Sequence, residues 1–305
     1  VPSDFGFPMV AHPHDPDTAY IFPLEQEMRC GPDGKVRVYR TKNAGRSFGI
    51  LEVRNLSQEI CRDAGKFSFD RVSLRIERGE WVGLVGKTAA GKSSLASRII
   101  RIHEPPAGAI FLDGEDITGL DLRLIRSRIS FVPQEGFLFS QSLMSNFKLG
   151  SRAVSDDEVK GIAESVQMME EIDGFPDGLK TRVGERGVTL SGGQRQRVAL
   201  GRALIKDADF YIFDDPFSSV DLATEDRIFE EMKKRLRGRG VLMISHRFRS
   251  LLKMDRIVAL DGGRVAECGT PAELLARGGL FAKLSEAQEI EERLAAETAF
   301  AAAGS

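Results

Sequence analysis

The sequence predicts an α/β fold: a core of mixed β-sheet with flanking helices, extended by a helical subdomain and an antiparallel β-subdomain. Three observations predict it. Short apolar, β-branched runs alternate with stretches of helical spacing along most of the chain. One such run, Trp81-Val82-Gly83-Leu84-Val85, feeds a glycine-containing loop that opens a helix. Between Gly136 and Lys206 the strand-like runs give way to helical patterns.

Taken in order, the first 46 residues read as a linker or arm. Half of the 12 prolines (Pro2, Pro8, Pro13, Pro16, Pro23 and Pro32) fall there, with little periodicity. His12 and His14 have no third ligand near them in sequence, so a solvated tail is favoured over a metal site. Strands are predicted at Ile50 to Val53, Val72 to Ile76 and Trp81 to Val85. A helix follows from Ser93 to Ile102, with Leu95, Ile99 and Ile102 on one face, and Pro105-Pro106 stops it. Next come a strand at Ala109 to Leu112 and a turn at Asp113-Gly114. Asp156 to Met169 and Gln194 to Ile205 are the clearest helices of the 136–206 subdomain. Strands resume at Phe210 to Phe213, Val241 to Ile244, Ile257 to Leu260 and Val265 to Cys268, the last two joined by a Gly262-Gly263 turn. An Ala- and Glu-rich helix is predicted over Glu286 to Ala302. The chain thus divides into an arm (1–46), a principal domain (47–275) and a C-terminal helical extension (276–305).

Composition narrows the class. With 305 residues and 42% hydrophobic content the chain can bury a large core. A formal net charge of -2 gives no electrostatic reason to expect a nucleic-acid partner. Cys30, Cys61 and Cys268 are far apart and form no CxxC pair, which fits a reducing compartment without disulfides or zinc. No apolar run approaches the ~20 residues that span a bilayer, so direct membrane insertion is not expected. The start at Val1 suggests a piece of a longer polypeptide.

Three motifs carry chemistry. Gly86-Lys87-Thr88-Ala89-Ala90-Gly91-Lys92-Ser93, with Ser94 after it, has the spacing of a loop whose backbone N–H groups turn inward around phosphates while the following helix offers its positive N-terminus. Lys92 is expected to reach the β- and γ-phosphates and Ser93 to ligate Mg2+. The strand and helix on either side weigh against a chance glycine-rich turn. Asp214, at the end of the apolar run Phe210-Tyr211-Ile212-Phe213, is placed to hold Mg2+ beside that loop. Asp215 stands where an acid polarises the attacking water. Glu is the usual residue there, and Asp is one methylene shorter. A base must approach within ~2.6 to 3.2 Å of its proton, and a misplacement of about 1 Å can cost on the order of 10²-fold, so Asp215 is expected to be a weak catalyst. Leu190-Ser191-Gly192-Gly193-Gln194 is a second phosphate-binding helix start. The same nucleotide cannot easily use it, which implies a second copy of the fold.

From Ile50 to Leu284 these residues resemble the ATP-binding-cassette (ABC) ATPases, a P-loop NTPase family. The resemblance assigns Phe131-Val132-Pro133-Gln134 to the Q-loop, whose Gln134 touches Mg2+ and the attacking water and signals to a membrane domain. It assigns Ser218-Ser219-Val220-Asp221 to the D-loop, with Asp221 among the nucleotide contacts, and Ile244-Ser245-His246 to the switch histidine that bonds the γ-phosphate. It further implies ATP and Mg2+ as cofactors, ATPase activity, and a head-to-tail dimer with an identical or different second nucleotide-binding domain. In that dimer Ser191, Gly192, Gly193 and Gln194 of one chain cap the γ-phosphate held by Lys92 and Ser93 of the other. Thr181-Arg182-Val183-Gly184-Glu185-Arg186-Gly187 looks like the X-loop of exporters, and Phe137-Leu138-Phe139-Ser140 is also exporter-like. Both imply a transmembrane exporter domain as partner and a place on the cytoplasmic side of a membrane.

Two positions depart from the family pattern. Ile60 and Cys61 occupy the region of the A-loop aromatic that stacks on adenine, a contact worth ~0.5 to 1.5 kcal/mol. Phe67 or Phe69 is the available substitute. Asp215 resembles the slow or non-hydrolysing half of asymmetric exporters, including first cassettes of multidrug-resistance-type proteins. The alternatives are a regulatory half that binds ATP with little hydrolysis, and a cassette ATPase without a transport role. The latter lacks support, since no coiled coil, zinc hook or basic linker is present.

Overall fold

The computed structural model describes residues 5–12, 15–24, 39–41, 47–62, 65–149, 154–184 and 188–303. The N-terminal stretch, expected to be an irregular arm, contributes strands. β1 (Phe5–His12) pairs antiparallel with β2 (Asp15–Leu24), which also pairs with β3 (Tyr39–Thr41). Pro8 hides the pattern in sequence, because it falls at a register irregularity between Gly6 and Met9, where a missing N–H is tolerated.

β4 (Ile50–Arg62) and β5 (Gly65–Glu77) form a long antiparallel hairpin, longer than the two short strands the sequence suggests. β6 (Trp81–Gly86) runs into the glycine-containing loop and α1 (Lys92–Ile99). After β7 (Ile110–Leu112), β8 (Glu115–Asp116) and α2 (Leu122–Arg128) comes β9 (Ile129–Val132). The helical segment then holds α3 (Leu143–Lys148), α4 (Asp156–Ser165), α5 (Met169–Asp173) and α6 (Gly192–Leu204). The chain continues through β10 (Phe210–Asp214), α7 (Leu222–Arg235), β11 (Gly240–Ile244) and α8 (Phe248–Leu251). It finishes with β12 (Arg256–Asp261), β13 (Arg264–Gly269), α9 (Pro271–Arg277) and α10 (Leu280–Ala303).

The central sheet has 6 strands in the order β13-β12-β6-β11-β10-β9, all parallel except the edge strand β13. A second, antiparallel sheet of 4 strands runs β5-β4-β7-β8. Parallel strands buried on both faces read as continuous apolar runs, and alternate residues supply opposite cores. Val82, Leu84, Phe210, Ile212, Leu242 and Ile244 face Leu51, Val53, Leu74 and Ile76 of the antiparallel sheet and Leu95 and Ile99 of α1. Trp81, Val85, Tyr211, Phe213, Val241 and Met243 join Val198 and Leu200 of α6, Phe229 of α7, and Phe147 and Ile162 of the helical segment.

β6, β9, β10 and β11 end together at one edge of the sheet, at Gly86, Val132, Asp214 and Ile244. Every motif after a strand therefore emerges on the same rim, the edge where open α/β sheets bind ligands.

Lys206, just past α6, ties that helix to the neighbouring layer by donating to the backbone carbonyls of Ile129 (2.9 Å) and Arg126. Burial pushes its ammonium from 10.5 down to about 8. A lysine with a folded pKa below its unfolded one binds fewer protons folded than unfolded between those values, so this group adds stability as pH rises from about 8 towards 10.5. Denaturation of the parent and Lys206→Met should therefore diverge in the parent's favour across that window. After discounting for partial exposure the gain is about 1 to 2 kcal/mol. A stability difference that does not change with pH contradicts this account.

Candidate nucleotide site

α1 begins without a side-chain cap and without an acid in its first turn. Its leading N–H groups and the helix dipole are thus directed at whatever occupies the loop before it, an arrangement suited to an anion. Gly91 is required twice over. Its φ is 104°, and a Cβ there would lie 2.5 Å from Phe67 Cζ and 2.9 Å from Phe69 Cε1. Ala89 also holds a positive φ, 67°. Lys87, Thr88 and Ala89 are exposed on the loop, while Ala90 is buried beneath it.

Lys92 is only 6% exposed and donates from Nζ to the carbonyls of Gly86 (2.7 Å) and Lys87 (3.0 Å). Burial lowers its pKa, while the negative charges of Asp214 and Asp215 oppose that shift. Burial likewise raises the pKa of Asp214, and Asp215 beside it adds to the effect. A hydrogen bond from Ser93 and the charges of Lys92 and His246 pull it back. The five residues Lys92, Ser93, Asp214, Asp215 and His246 are therefore one electrostatic cluster. At Asp214 it offers only oxygen donors, from Ser93 and the carboxylate. That donor set fits a hard cation such as Mg2+, which keeps several waters and takes one or two protein oxygens. Among the described residues no group of three or more His, Cys, Asp or Glu could hold a metal ion by itself.

Asp215 is 7% exposed and has a left-handed backbone, φ 49°, which Asp tolerates better than most residues. Its N–H donates to the Ile244 carbonyl at 2.9 Å, anchoring it to the end of β11 just before His246. Gln134 is exposed beyond β9, one strand from Asp214 on the same rim. Asp221 is the N-cap of α7, accepting from the Thr224 N–H at 3.0 Å, and that bond lowers its pKa.

Ser191, Gly192, Gly193 and Gln194 form the head of α6. Ser191 and Gln194 make a capping box: the Gln194 N–H donates to Ser191 Oγ at 3.2 Å and the Ser191 N–H to Gln194 Oε1 at 2.9 Å. This head packs on Ser219. The sequence thus identifies two anion-receptive helix starts, and the fold assembles the cluster around one of them while seating the other on the segment that follows Asp215.

Of the two aromatic candidates for a base contact, Phe69 is buried in the core beneath the Arg98 guanidinium, 5.6 Å from its ring centre. Phe67 stands edge-on to it at 5.1 Å, is half-buried, and pairs across the hairpin with Ile60. Both rings approach Gly91 of the phosphate loop, and Phe67 is the one that keeps an accessible face. The segments 137–140 and 181–184 lie side by side: the Val183 N–H donates to the Gln141 carbonyl at 2.9 Å, and Arg182 donates to the Ser140 carbonyl at 3.4 Å. Glu185, Arg186 and Gly187 lie outside the described residues. Arg197 binds Glu171 and the Gln167 carbonyl within the chain.

Residues 69–218 match the family described as ABC transporter. Over 243 residues the chain is 41% identical to the ATP-dependent lipid A-core flippase of Alkalilimnicola ehrlichii, covering 74% of this chain and 41% of that protein. It is 40% identical over 247 residues to the mitochondrial potassium channel ATP-binding subunit of Rattus norvegicus, covering 81% and 35%. The structure of a bacterial Atm1-family ABC exporter with ATP bound superposes with a TM-score of 0.75 at 33% identity, covering 79% of this chain and 42% of that one. The chain spans less than half the length of these relatives. Among the described residues no helix is long and apolar enough to cross a membrane. The phosphate loop, the strand-end acids and the capped head of α6 all fall within the matched residues, and the chain belongs to the ABC transporter family as one of its nucleotide-binding domains.

Proposed function

We propose that this domain binds Mg-ATP at Gly86–Ser94, pairs head to tail with a second nucleotide-binding domain, and couples ATP binding and hydrolysis to a transmembrane exporter domain on the cytoplasmic side of a membrane. The seat of the α6 head carries the reading. A capped, glycine-bearing helix start that rests on Ser219 instead of its own phosphate loop is half of a site, and a second copy supplies the other half. Lys92 neutralises the β- and γ-phosphates, Ser93 and Asp214 hold the cation with Gln134 at its edge, and His246 faces the γ-phosphate. The metal ion supplies charge neutralisation. The exposed edge-to-face pair Phe137 and Phe139, 65% and 42% accessible beside the Arg182 segment, supports contact with the membrane domain. Light scattering tests the pairing: the purified chain is expected to be a monomer alone and a dimer in Mg-ATP, and a chain that binds Mg-ATP yet never dimerises removes the self-paired form.

Asp215 favours a second form of this reading, a slow site that holds ATP and lends its α6 head to the neighbouring site. Restoring the missing methylene with Asp215→Glu should raise turnover of the assembled pair about 10- to 100-fold, with KM for ATP little changed. Brisk hydrolysis by the parent, with no gain in the variant, excludes the slow site.

A further inference from the structure

We propose that Gln196 is a positioning residue that joins the two nucleotide sites of the dimer, by locking the head of α6 to the backbone of Asp215 and the loop after it. The proposal rests on the head-to-tail reading for its meaning but on contacts within one chain for its evidence.

Gln196 is 3% exposed, one turn inside α6, in the run Gln194-Arg195-Gln196-Arg197 where polar residues ordinarily face water. Its amide is fully used. Nε2 donates to the Asp215 carbonyl at 2.9 Å and to Ser218 Oγ at 2.9 Å, and Oε1 accepts from the Ser219 N–H at 2.9 Å. A planar amide with a donor and an acceptor committed to three points on one segment fixes both distance and orientation, which one contact does not. A second observation agrees with it. A Cβ on Gly193 would lie 2.5 Å from the Ser219 carbonyl oxygen, so the α6 head and this segment touch backbone to backbone. The linkage reaches the switch histidine too. Arg247, next to His246, donates to the Ser218 carbonyl at 3.5 Å and is paired with buried Glu225.

The consequence follows from where the two ends act. The α6 head serves the nucleotide held by the other chain, whereas Asp215 and His246 serve the chain's own. A shift of Asp215 when its own phosphate loop fills must therefore move the head that faces the opposite site, because Gln196 leaves no slack between them. Gln196 touches neither nucleotide in this arrangement.

Amide hydrogen exchange on the whole chain, with and without Mg-ATP, tests this. In the parent, Mg-ATP is expected to slow exchange both over 86–95 and over 191–196. Gln196→Met, which keeps the volume but none of the three bonds, should bind Mg-ATP within about threefold of the parent and keep the first protection, yet lose the second. Ser218→Ala removes a single bond at an exposed position and should weaken the second protection partially, so it carries the test if Gln196→Met folds poorly. Undiminished protection over 191–196 in both variants overturns the proposal, and so does a parent whose 191–196 amides do not respond to Mg-ATP. Light scattering on the same samples separates this from the dimer: a parent that shows the coupled protection but never pairs keeps the linkage and loses the head-to-tail reading.

Discussion

Lys92→Ala should abolish Mg-ATP binding at millimolar concentration while leaving the domain folded. Lys92 is the buried cation of the phosphate loop, held between the Gly86 and Lys87 carbonyls with its charge near Asp214 and Asp215. A hydrogen bond from a charged donor to an anion is worth about 1.5 to 3 kcal/mol, and in the proposed site this ammonium would serve two phosphates, so a loss of about 3 kcal/mol or more, on the order of 10²-fold or more in affinity, is expected. The variant harms the metal as well. Lys92 is one of the charges that hold down the already raised pKa of Asp214, so without it the carboxylate is protonated at a higher pH and offers the cation less. Lys92→Arg should not rescue, because a planar guanidinium cannot take the place of a compact ammonium buried between two carbonyls. Two measurements check this. Titration with a fluorescent ATP analogue should show no saturation in either variant. Thermal unfolding should show no nucleotide-induced rise, whereas the parent at about 100 times its Kd should gain about 2.7 kcal/mol. Unchanged affinity in Lys92→Ala contradicts the assignment of the loop.

The parts of this domain that the sequence discloses are those in which local chemistry and tertiary role coincide. β6, β10 and β11 are buried on both faces and so read as continuous apolar runs, and the glycines, Lys92 and Asp214 follow from what a phosphate and a cation require of a strand end. The hairpin β4–β5 is less legible. Arg54, Asn55, Gln58 and Glu59 interrupt its apolar alternation, and register shifts between Val53 and Leu56 and between Leu56 and Gln58 break the period that a strand is recognised by. Gln196 is not legible at all. In sequence it is one more polar residue on a helix flanked by Arg195 and Arg197, and only the return of the chain after β10, about 20 residues later, brings the Asp215 carbonyl and Ser219 to its amide. The choice between Phe67 and Phe69 is of the same kind: both are aromatic, two apart on one strand face and close to Gly91, and only burial under Arg98 separates Phe69 from the half-buried Phe67.

Ser191→Arg should leave nucleotide affinity within about threefold of the parent and prevent Mg-ATP-dependent dimerisation, because in the proposed dimer it alters the half-site offered to the other chain and leaves the chain's own phosphate loop intact. Losing the Ser191 cap costs about 1 kcal/mol, and Gly192 and Gly193 behind it retain the helix start, so the fold survives. The obstruction is steric. The N–H groups of Gly192 and Gly193, ahead of the capped Gln194 N–H, can reach a phosphate only by close approach, which the small Ser191 and the glycines permit, and an arginine side chain at that position would hold the opposing loop away. Its positive charge does not compensate, since a flexible cation can pair with the phosphate at longer range without admitting the helix start. Ser191→Ala separates the two effects: it removes the hydroxyl and the cap but adds no bulk, and should weaken dimerisation only several-fold. Light scattering in saturating Mg-ATP reads the result directly. A dimer of Ser191→Arg as tight as the parent's would mean that the head of α6 does not meet the neighbouring nucleotide, and that the second helix start serves only to anchor α6 on Ser219.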